Sequence, residues 1–145
     1  MGEKQNYGNH RKTVPMFHGA LFALLLLTLF GSLVNLYQSW GDHSRLYSAS
    51  LITALTFGAL MLFYYCRTFP LKAQDRAIRA EENLRHFILT GKTLDPRLTL
   101  KQIVALRFAS DAEFAELARK AASEGLNQDT IKRAITSWRG DYERL

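Results

Sequence analysis

At 145 residues, with 19 Lys or Arg against 13 Asp or Glu, the chain carries a net charge of +6 and has room for one small domain beside any membrane segment. Its one cysteine, Cys66, excludes an intramolecular disulfide and a metal site built from cysteines. A mean hydropathy of -0.12 averages an apolar first half with a polar second half, in which residues 67–145 hold 15 Lys or Arg and 11 Asp or Glu.

Residues 1–15 form a polar N-terminal segment with Lys4, Arg11 and Lys12. The apolar run Met16–Tyr37 follows, and a second covers Leu46–Cys66; neither contains Asp, Glu, Lys or Arg. A helix needs about 20 apolar residues to cross a hydrocarbon core of roughly 30 Å. Both runs are therefore expected to be transmembrane helices, joined by an external loop over residues 38–45. The first is longer than the roughly 7–15 apolar residues of a signal-peptide core, and no small-x-small cleavage site follows it, so it reads as a retained span.

Positive charge sets orientation. The N-terminal flank is basic, the loop carries only Arg45, and Arg67, Lys72, Arg76, Arg79 and Arg85 follow the second run. Both termini are thus expected in the cytoplasm. Tyr37, Trp40 and Tyr47 mark the outer interface, and Phe17, Tyr64, Tyr65 and Phe69 the inner one. Gly19 and Ala23 in the first span, and Ser50, Ala54 and Gly58 in the second, are small residues at helical spacing. Such stripes let backbones approach closely, which predicts helix packing there, within the hairpin or between protomers. No charged residue lies at mid-membrane, which argues against a proton relay or ion path.

Pro70 is expected to end the second span's helix or start a new one. Residues 67–90 read as an amphipathic juxtamembrane helix whose apolar set is Ala73, Ala77, Ala80, Leu84, Phe87 and Ile88. Asp75–Arg79, Glu81–Arg85 and Glu82–His86 are i,i+4 pairs on the remaining surface. A loop follows, with Asp95-Pro96 as turn chemistry. Residues 98–145 read as a helical cytoplasmic domain of three short helices. Thr99 and Gln102 form a capping box before Leu100–Ala109, and Ser110 and Glu113 a second before Asp111–Glu124. Gly125 is a stop signal, and Asn127 caps a last helix reaching about Trp138.

No motif for phosphate binding, metalloprotease or serine-hydrolase chemistry is present, and no catalytic residue is assigned. His10 and His18 are the only candidate pair for metal or haem, but Pro15 stands between them and no carboxylate completes a site. Short helices with Lys132 and Arg133 on the last one suggest a helix-turn-helix reader; that helix offers few base-reading side chains, so nucleic acid is not expected as a partner.

Several stretches carry a resemblance: Gln5-Asn6-Tyr7-x-Asn9-His10, Pro15-x-Phe17-His18, Lys72-x-Gln74-Asp75-Arg76, Leu98-Thr99-x-x-Gln102-Ile103-x-Ala105-Leu106-Arg107-Phe108-Ala109-Ser110-Asp111, and Ile131-Lys132-x-Ala134-Ile135 to Trp138-Arg139. Together they resemble a family of small two-span bacterial membrane proteins of unknown function. Gly140 stands where that pattern commonly has proline after Trp-Arg. The resemblance implies a bacterial plasma-membrane location, two spans and a helical tail, and no activity.

Polar residues at one membrane level need partners, so Asn6, Asn9, His10 and His18 are expected to cluster with Gln74, Asp75 and Arg76 near the inner interface. Arg107 and Asp111 are placed to bridge a helix junction. The overall expectation is an all-α, non-enzymatic accessory subunit or scaffold without cofactors. Its partners would be the lipid bilayer and other membrane subunits or a second copy. The alternatives are a metal- or haem-binding component using His10 and His18, and a membrane-tethered nucleic-acid binder.

Overall fold

The computed structural model describes residues 5–10 and 13–141, and every regular element among them is helical. A π-helical turn, Met16–Leu21, leads into α1, Phe22–Gln38. Then come α2, His43–Thr90, α3, Leu100–Leu106, α4, Asp111–Glu124, and α5, Gln128–Ala134. The described residues form two units. One is Thr13–Phe69; the other joins residues 5–10 to Pro70 and everything after it.

The first unit is a helical hairpin. Met16–Gln38 and α2 are both long and apolar enough to cross a membrane, with best-window mean hydropathies of 2.1 and 1.8. Asp42 starts α2 by accepting the backbone N–H groups of Ser44 (3.1 Å) and Arg45 (3.3 Å), which satisfies donors left unpaired at a helix start. Small and hydroxylated residues form the seam: Ser32, Ser39, Ala49, Thr53 and Thr56 are all buried. The Thr53 hydroxyl donates to the Ser32 carbonyl at 3.2 Å and to that of Ala49 at 2.9 Å. Phe17 stacks on Phe63 at the open end, with ring centroids 4.4 Å apart.

Of the two packings left open for the small-residue stripes, this seam does not use the one within the hairpin. Gly19, Ala23, Ser50 and Ala54 are exposed and Gly58 is only half-buried, and an added Cβ at Gly19 or Gly58 would meet nothing within 4 Å. The stripes face out because the Thr53–Ser32 bond and the buried Ala49 rotate the hairpin onto the adjacent face. Pro70 also behaves differently: it lies inside α2. It forfeits its own i→i−4 bond, and the helix continues because the residues beyond it are held by the C-terminal unit.

That unit is a three-helix domain around Leu106, Phe108, Phe114 and Ile131, with Leu98, Leu117, Ala121 and Ile135 completing the core. Local signals set the helix starts. Thr99 and Gln102 form their capping box, Glu113 reaches back to the Ser110 N–H at 3.3 Å, and Asn127 accepts from Asp129 and Thr130. Gly125 takes the left-handed conformation, φ 62°, that closes α4.

Two helices are shorter than the apolar pattern predicts. α3 stops at Leu106 and α5 at Ala134, because residues 108–110 and 137–139 pair with each other instead. The Ser110 N–H donates to the Ser137 carbonyl (3.1 Å) and the Arg139 N–H to that of Phe108 (2.7 Å), an antiparallel bridge centred on Ala109 and Trp138. Trp138 is thus in extended chain, packed on the core, and not in a helix.

Candidate functional site

The polar side chains of the C-terminal unit gather at three fastenings. The first holds α2 to the domain. Glu82 and Arg85 are one turn apart, and their side chains are only 7% and 11% exposed. Nη1 of Arg85 pairs with Glu82 at 2.9 Å, Nε donates to Asp111 Oδ1 at 2.7 Å, and Nη2 donates to the Ala109 carbonyl at 2.7 Å. The guanidinium also lies 4.3 Å from the Phe114 ring centroid. Neighbouring contacts continue the attachment: Asn83 accepts the Leu94 N–H at 2.9 Å, and His86 Nδ1 lies 2.7 Å from the Lys92 carbonyl. A buried charge survives only when paired and hydrogen-bonded, and Arg85 meets both conditions.

The second fastening is Glu113. Its Oε2 accepts from the Thr136 hydroxyl (2.7 Å) and N–H (3.0 Å), and its Oε1 from the Ser137 N–H (3.1 Å). Burial works to raise its pKa. The bonds from Thr136, Ser137 and Ser110 outweigh that and hold the carboxyl below its ordinary value. One carboxylate thereby caps α4 and ties down the chain leaving α5.

The third fastening seats the N-terminal segment. Gln5 and Asp141 pair reciprocally: the Gln5 amide donates to the Asp141 carbonyl (3.0 Å), and the Asp141 N–H donates to Gln5 Oε1 (2.9 Å). His10 is buried, with its ring 5.9 Å from those of both Phe108 and Trp138. Its Nδ1 lies 2.7 Å from the Tyr7 carbonyl, an acceptor only, so Nδ1 carries the hydrogen. Nε2 then accepts from Lys132 Nζ at 3.2 Å. Arg133 covers the Tyr7 ring at 5.2 Å, and the hydrogen bond it donates to the Tyr7 hydroxyl oxygen raises the Arg133 pKa.

These contacts revise the polar cluster expected near the inner interface. Asn6 and Asn9 close a local turn, with the Asn6 N–H donating to Asn9 Oδ1 at 2.7 Å and the Asn9 N–H to Asn6 Oδ1 at 3.2 Å. Gln5, Tyr7 and His10 contact α5 and the chain around Phe108, Trp138 and Asp141. His18 bonds within its own turn to Val14. The ring nitrogens of His10 lie against the Tyr7 carbonyl and Lys132 Nζ. Among the described residues no group of three His, Cys, Asp or Glu could hold a metal ion. Lys132 and Arg133, the bases of the helix-turn-helix reading, lie against His10 and Tyr7. The N-terminal bases Lys4, Arg11 and Lys12 lie outside the described residues.

Arg107 and Asp111 do not pair with each other. Arg107 binds Asp141 at 3.0 Å and covers the Phe108 ring at 4.6 Å, while Asp111 binds Arg85 at 2.6 Å. The surface pairs expected on the juxtamembrane helix are likewise replaced by the i,i+3 pair Glu82–Arg85. Sequence reading missed this pair because the helix's apolar period points to the opposite face. The signal available was Ile78, Glu82 and Arg85 at i, i+4 and i+7.

Fold and site together define an all-helical protein with two helices long and apolar enough to span a membrane, bearing a small helical domain fastened by buried polar contacts. Over residues 1–145 the chain matches the profile of the family described as "Family of unknown function (DUF6526)", and it belongs to that family. No curated protein and no solved structure matches it.

Proposed function

We propose that this protein is a non-enzymatic subunit or scaffold of the bacterial plasma membrane that works through protein–protein contacts. The chain threads the bilayer twice, with both ends in the cytoplasm. The small-residue faces carry the reading. Gly19 with Ala23, and Ser50, Ala54 and Gly58, stand outside the hairpin seam, where a neighbouring helix could approach closely. The pairing of Gln5 with Asp141 supports the topology, since it requires residues before and after the spans to meet on one side of a bilayer. The commitment of Arg85, Glu82, Glu113 and His10 to structural bonds supports a role without catalysis.

The test is extraction in mild detergent, sizing, and identification of co-purifying chains. An assembly larger than the 16.5 kDa chain that dissociates in a Gly19→Leu/Gly58→Leu variant is expected. A monomer at every concentration, with no co-purifying protein, overturns the reading.

A further inference from the structure

Beyond Pro70, α2 turns its polar side inward and its apolar side out. Ile78, Glu82 and Arg85 face the domain. On the opposite side Ala73, Ala77 and Ala80 are exposed, and Leu84, Phe87 and Ile88 are 60%, 52% and 72% exposed. Nothing among the described residues covers them.

The spacing of this face is specific. Ala73, Ala77, Ala80, Leu84 and Phe87 recur at alternate intervals of four and three, the seven-residue repeat that places side chains along one seam between supercoiled helices. With Ala73, Ala80 and Phe87 at d and Ala77 and Leu84 at a, Arg76 falls at g and Glu81 at e. In a parallel pair, g of one helix meets e of the other five residues on, so Arg76 of each helix faces Glu81 of its mate. Both are exposed, and no ion pair is recorded for either among the described residues.

We propose that Ala73–Phe87 of α2 is a parallel two-stranded interface whose partner is a second copy of this chain. The proposal rests on the membrane-anchored interaction reading given above and names one partner within it. Three observations favour a second copy. The Arg76–Glu81 charges are complementary to themselves under a two-fold axis. Two copies anchored in one membrane run in the same direction, as that pairing demands. Alanines at three of the five seam positions let the backbones approach closely. Two heptads form a weak seam alone, and anchoring in the plane of a membrane raises the effective concentration of the partner. An anionic lipid surface would attract Lys72, Arg76 and Arg79, but Glu81, which borders the seam beside Arg76, would be repelled by it, whereas a second copy satisfies both Arg76 and Glu81.

The test uses the full chain in native membranes, with Cys66→Ser as background. Ala80→Cys places two thiols in facing d positions, within the roughly 4.4–6.8 Å Cα separation that a disulfide needs. Arg79→Cys, one residue away, points elsewhere. Mild oxidation is expected to convert Ala80→Cys, but not Arg79→Cys, to a species of twice the chain mass. Arg76→Glu should lower that yield about fivefold, and Arg76→Glu/Glu81→Arg should restore it. Equal yields at 79 and 80 overturn the proposal, as does failure of the double reversal to rescue. A cross-link of other mass at position 80 also overturns the second copy, yet leaves the interaction reading standing. A monomeric Ala80→Cys whose thiol is shielded only by anionic lipid overturns it in favour of the membrane surface.

Discussion

Arg85 and Phe114 meet face to ion: the guanidinium carbon lies 4.3 Å from the ring centroid while the same group pairs with Glu82 and Asp111. Phe114 is wholly buried, so the cation sits on the lid of the core. Removing it leaves Glu82, whose side chain is 7% exposed, with the longer contact to Arg139 at 4.0 Å as its ion pair. Arg85→Met should destabilise the C-terminal domain by about 3–5 kcal/mol, the cost of leaving one partner of a buried pair uncompensated. Glu82→Gln/Arg85→Met should cost less than Arg85→Met alone. Urea unfolding of the full chain in detergent, followed by Trp138 fluorescence in a Trp40→Phe background, measures both.

Glu113 makes the domain's stability depend on pH. Its carboxyl is held below its ordinary value by the bonds from Thr136, Ser137 and Ser110 acting against burial. A depressed carboxyl contributes stability above the unfolded value of about 4.3 and loses it as pH falls through the folded value. Glu113→Gln should therefore destabilise the domain by about 1–2 kcal/mol at pH 7. The gap between variant and wild type should narrow as pH falls through the folded value, as read from paired unfolding curves at descending pH.

His10→Ala removes the ring that fills the space against Phe108 and Trp138 and the acceptor for Lys132. Cleavage of the N-terminal segment by trypsin should accelerate, and Trp138 emission should shift to the red as water reaches it. Unchanged cleavage and emission would show that the Gln5–Asp141 pair alone holds the segment.

The hairpin offers a contrast between two alanines five residues apart. Ala49 is 1% exposed in the seam, and Ala54 is exposed on the outer face. Ala49→Leu should cost about 1–3 kcal/mol through overpacking, whereas Ala54→Leu should change hairpin stability by less than about 0.5 kcal/mol. Thermal unfolding in micelles separates them, provided samples are dilute enough to exclude association through the outer face.

The part of the fold legible in the sequence is the part encoded within a few residues. Asp111–Glu124 is bounded by Ser110, Glu113 and Gly125, all local signals, and the two apolar runs announce their helices by length. What sequence reading missed was decided at long range. The ends of α3 and α5 are set by pairing between residues 108–110 and 137–139. Arg107 takes Asp141, 34 positions away, over Asp111 at four. The orientation of α2 was the least legible, because periodicity identifies an apolar face without saying whether it turns inward. Here the ion pairs of Glu82 and Arg85 fix the inward side. The candidate site was not legible as a group: His10 was expected in one cluster and Arg107 and Trp138 in another, and they lie in one unit through partners that spacing could not supply.

The clasp between Gln5 and Asp141 spans 136 positions, and its ends are made at different times. At about 5–20 residues per second, synthesis separates them by roughly 7–27 s. The seat for His10 does not exist until Phe108, Lys132 and Trp138 have all been made and folded. Throughout that interval residues 5–10 emerge and wait, available to ribosome-bound factors or to the insertion machinery. Closure of the clasp thus waits for Asp141, and a nascent chain arrested before Trp138 is distinguishable from one that has passed Asp141 by a segment still open to a protease.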